Sequence, residues 1–118
     1  MTDKELLELA AKAAGVDAYW SVTDSIQHYP IFVTECGGRM GDLPYEDEWN
    51  PLKDDALALR LAVKLNMGIS VPVFKNPRAD VIVFRNSAIN VIEEGADPFA
   101  ATRRAIVRAA AEIGRNMK

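Results

Sequence analysis

A chain of 118 residues, 49% hydrophobic and 26% charged, fits one globular domain with a single core and excludes a disordered polypeptide. The formal net charge of −3 supplies no general attraction for phosphate backbones, and the single cysteine, Cys36, excludes an intrachain disulfide and points to a reducing compartment. No apolar run approaches the ~20 residues of a membrane span. The polar opening Met1-Thr2-Asp3-Lys4-Glu5 is not that of a signal peptide, so a cytoplasmic location without membrane attachment is expected.

In chain order, Thr2 or Asp3 caps a first helix that runs to about Ala14 and stops at Gly15. Leu6, Leu9, Ala10 and Ala13 form its apolar stripe, widened by Leu7 and Ala14. Aromatic and β-branched content predicts strands over residues 17–22 and 31–34, separated by a polar loop containing His28 and Pro30. Residues 35–52 show no periodicity and hold Gly37, Gly38, Gly41, Pro44 and Pro51, which predicts a long irregular loop.

Asp54 then caps a second helix, and Asp55 favours the positive end of its dipole. At about 100° per residue, Leu57, Ala58, Leu61 and Leu65 share one face, while Leu59 and Val63 point almost the opposite way. A helix this apolar around its circumference is expected to be buried on more than one side, against a sheet and against another helix or a second subunit. It ends near Asn66-Met67-Gly68. Strands follow over residues 69–74, 79–84 and 88–92, an antiparallel meander. Asp97 and Pro98 open a last helix that reaches about Asn116. Phe99, Thr102, Ile106, Ala110, Ile113 and Met117 lie on one side of it, and Arg104, Arg108 and Arg115 fall within about 40° of the opposite side. The order is α-β-β-α-β-β-β-α, one domain of the α+β class, with three helices on a mainly antiparallel sheet of about four or five strands.

Four groups of residues invite a chemical reading, and each has a structural one beside it. Asp42, Glu46, Asp47, Glu48, Asp54 and Asp55 could gather oxygen ligands for a divalent cation, but they match no calcium-loop register, and capping already employs Asp54 and Asp55. Cys36-Gly37-Gly38 with His28 as base could make a nucleophile; a lone cysteine is more often a small buried hydrophobe. Tyr45 and Trp49, flanked by Pro44 and Pro51, could form a recognition surface with Asn50, or Trp49 and Leu52 could fold back over the second helix as a staple. Arg103, Arg104, Arg108 and Arg115 could contact phosphates, extended by Arg39, Arg60, Lys64, Lys75 and Arg78, or form the ordinary charged face of an amphipathic helix.

Several stretches carry a family resemblance: residues 1–11, Glu35-Cys36-Gly37-Gly38-Arg39-Met40, residues 49–65 and residues 101–111. In these the chain resembles the phage ABA-sandwich domain family, small uncharacterised proteins of tailed phages and prophages. The Trp-Asn-Pro-Leu-x-Asp-Asp segment beginning at Trp49 is the most specific part. The resemblance implies a layered α/β sandwich with helices on both faces of the sheet, a phage or prophage origin and residence in a bacterial host cell. It brings no reaction. Relatives often carry Gly-Asp where this chain has Ala56-Leu57, so one family carboxylate is absent here.

The expected function is that of a non-enzymatic accessory protein, with no catalytic residue, cofactor or metal. It would act on a phage or host protein, or by self-association as a homodimer through Leu59 and Val63 or a strand edge. The candidate interaction surface is Tyr45, Trp49, Asn50, Leu59 and Val63. The alternative is a nucleic-acid-associated protein using Arg103, Arg104, Arg108 and Arg115, and a third reading is a small metal-dependent hydrolase centred on residues 35–55.

Overall fold

Three helices and six strands succeed one another in the computed structural model as α1 (Asp3–Ala14), β1 (Ala18–Ser21), β2 (Ile31–Cys36), β3 (Tyr45–Glu48), α2 (Asp55–Lys64), β4 (Gly68–Ser70), β5 (Ala79–Arg85), β6 (Ile89–Gly95) and α3 (Pro98–Arg115). The described residues are 2–21, 31–36, 45–70, 79–85, 89–95 and 97–117. The fold is α+β.

Local chemistry sets the helix ends. Thr2 accepts from the Glu5 amide, Asp54 from the amides of Ala56 and Leu57, and Asp97 from that of Phe99, with Pro98 in the first turn. Gly15, at φ 69°, ends α1, with its own N–H donating to the Lys12 carbonyl and that of Val16 to the Ala11 carbonyl. Asn66, at φ 56°, repeats this after α2, where its N–H donates to Val63 and that of Met67 to Ala62. Both are Schellman closures, which need a residue that tolerates the left-handed region.

The strands form two antiparallel sheets of three, ordered β1-β2-β3 and β4-β5-β6, where one sheet of four or five strands was expected. Each sheet is built from strands consecutive in sequence, and α2 carries the chain from one to the other. The expected irregular stretch 35–52 is also corrected. Glu35 and Cys36 prolong β2, and Tyr45–Glu48 pairs with it, Val33 opposite Glu48 and Cys36 opposite Tyr45. Acidic residues have poor strand propensity, but pairing to a neighbouring strand overrides propensity, and β3 lies at an edge, where charge is tolerated.

Helix α3 forms the centre, packing against α1, α2, β5 and β6. Its buried positions, Ala101, Ala105, Ile106, Val107, Ala109, Ala110, Ala111 and Gly114, project over most of its circumference. Small side chains let neighbours approach on several sides. At Gly114 the approach is closest, since a Cβ there would overlap the Leu9 carbonyl oxygen of α1. The helix buried on several sides is therefore α3 and not α2. In α2, Ala58, Leu61 and Ala62 are buried, whereas Leu59 and Val63 remain 59% and 68% exposed.

The second sheet turns Val83 and Val91, cross-strand partners, into the core with α3. One residue along, Ile82 and Ile92 face the other way, and Ile92 is exposed. The helix-covered second face implied by the family resemblance is thus not found at this position. The first sheet docks through aromatics: Phe32 lies 4.7 Å from the Trp20 ring and 6.0 Å, edge-on, from that of Trp49. Trp20 Nε1 donates to Glu8 of α1 at 2.9 Å, and the Lys4 ammonium sits 5.4 Å from the Trp20 ring centre.

Candidate interaction surface

The segment Trp49-Asn50-Pro51-Leu52-Lys53-Asp54-Asp55 is a junction in which nearly every residue has a structural task. Trp49 is 8% exposed and its N–H donates to the Phe32 carbonyl at 2.8 Å, so its side chain belongs to the core and not to a surface. Asn50 Oδ1 accepts from the Leu52 amide at 3.1 Å, an Asx turn that aims the chain into α2. Pro51 is fully buried. Arg103 of α3 closes the junction: its Nε donates to the Leu52 carbonyl at 2.9 Å and its Nη1 meets Asp55 at 2.6 Å. The planar guanidinium fork makes both bonds at once.

Above this bracket lies an open groove of about 310 Å³ between α2, the first turns of α3 and β4. Ala58 and Leu59 line it from α2, Ile69 from β4, and Phe99 and Ile106 from α3, with the Arg103–Asp55 pair among its lining. The three most exposed large apolar side chains among the described residues are Val63 and Phe99, each 68%, and Leu59, 59%. Two of them line the groove, and the third follows Leu59 by one turn of α2. Sequence periodicity marked Leu59 and Val63. It missed Phe99, which it assigned to the apolar stripe of α3, because Phe99 sits in the first turn of that helix, where the stripe runs past its cover. The available signal was its place two residues after the N-cap Asp97.

Of the other interaction candidates, Asn50 is half-buried and committed to its turn, and the Tyr45 side chain lies outside the described residues. The arginine candidates are spread along α3, and each has an acceptor. Arg103 is 19% exposed in its bracket. Arg104 reaches Asp3 of α1 at 3.1 Å, Arg108 donates to the Ile92 carbonyl of β6 at 3.4 Å, and Arg115 lies 3.7 Å from Glu112. Three of the four tie α3 to its neighbours.

His28, Gly37, Gly38, Arg39, Asp42, Pro44, Lys75 and Arg78 lie outside the described residues, as do the side chains of Cys36, Glu46 and Asp47. Among the described residues, no group of three or more His, Cys, Asp or Glu side chains could hold a metal ion, and no helix is long and apolar enough to cross a membrane. Asp54 and Asp55, the two acidic candidates nearest the groove, serve as cap and as partner of Arg103.

No family model, no curated protein and no solved structure matches this chain.

Proposed function

We propose that this is a non-enzymatic accessory protein that works by docking another polypeptide against α2 and the groove beside it. The observation that carries the reading is the grouping of Leu59, Val63 and Phe99, exposed together around a groove whose floor is apolar. Exposed apolar groups gathered at a concave site mark interaction surfaces, whereas isolated ones are ordinary. The phage or prophage setting, with a phage or host protein as the partner in the bacterial cytoplasm, enters the proposal from the family resemblance.

The test is a pull-down with tagged protein from cells carrying the phage or prophage, run with wild type and with Leu59→Asp, half of each sample treated with nuclease. A protein captured by wild type, lost with Leu59→Asp and resistant to nuclease supports docking at α2. Capture that Leu59→Asp leaves intact removes the groove from the proposal. Capture lost on nuclease treatment would instead favour the nucleic-acid role through Arg103, Arg104, Arg108 and Arg115. That role has less support, because these guanidinium groups already have acceptors within the protein.

A further inference from the structure

We draw no further inference here: the strongest candidate, the apolar groove between α2, β4 and the first turns of α3 with Leu59, Val63 and Phe99 exposed around it, belongs to the docking surface already described, and nothing in the structure shows what covers it.

Discussion

Arg103 and Asp55, from the third and second helices, meet at 2.6 Å, and the same guanidinium holds the Leu52 carbonyl at 2.9 Å. The pair joins the last helix to the turn that launches the second. One arm is well sheltered and the other wet, since Arg103 is 19% and Asp55 69% exposed. The two partners should therefore respond unequally to mutation. Arg103→Ala is expected to cost roughly 1–3 kcal/mol, because it strips a carbonyl of its donor and removes packed side-chain stem. Asp55→Asn should cost no more than about 1 kcal/mol, the usual ceiling for an exposed pair. Arg103→Lys should recover little, since one ammonium cannot reproduce the fork. Urea unfolding followed by tryptophan fluorescence measures all three, with Trp20 and Trp49 as the reporters beside Phe32.

Gly114 is expected to resist substitution although it lies inside a helix. Alanine would ordinarily gain about 1 kcal/mol there in helix propensity. Its Cβ would overlap the Leu9 carbonyl oxygen, which is backbone and cannot rotate away, so α1 and α3 must separate. Gly114→Ala should lower stability by roughly 1–3 kcal/mol in net. A melting temperature equal to or above wild type would show that the two helices can shift apart without loss.

Trp49 and Leu59 should behave as opposites. Trp49→Ala empties a site packed edge-on against Phe32 and is expected to cost about 3–5 kcal/mol, enough to threaten folding of a domain this size. Leu59→Ser, at a position 59% exposed, should change stability by less than about 0.5 kcal/mol. Thermal melts of Trp49→Phe, Trp49→Ala and Leu59→Ser rank the two positions directly. A large loss from Leu59→Ser would place that side chain in the core and undermine its use as a docking contact.

Asn66, at φ 56°, closes α2 in the left-handed region. Asn66→Ala should cost about 1 kcal/mol, because a Cβ-bearing residue without a short polar side chain pays the steric penalty of that region. Asn66→Gly should be neutral or stabilising. The pair of melts separates backbone strain from side-chain bonding, since both variants lose the amide and only glycine loses the strain.

The caps of all three helices were legible in the sequence because capping is local chemistry. Thr2, Asp54, Asp97, Gly15 and Asn66 act on groups within a few residues of themselves, and the structure places each at its helix end. The class of fold and the antiparallel meander of β4, β5 and β6 followed from side-chain type and spacing for the same reason. Tertiary structure alone decided the rest. Strand β3 exists through its pairing to β2, which propensity opposes. Periodicity identified two apolar faces on α2, both expected to be buried, but only the side carrying Ala58, Leu61 and Ala62 found a neighbour. The central place went to α3, whose alanines and Gly114 allow close approach on several sides, and α2 was left at the periphery with Leu59 and Val63 uncovered. Likewise, the Arg103 bracket joins residues far apart in sequence, and only the folded chain brings its fork to Leu52 and Asp55.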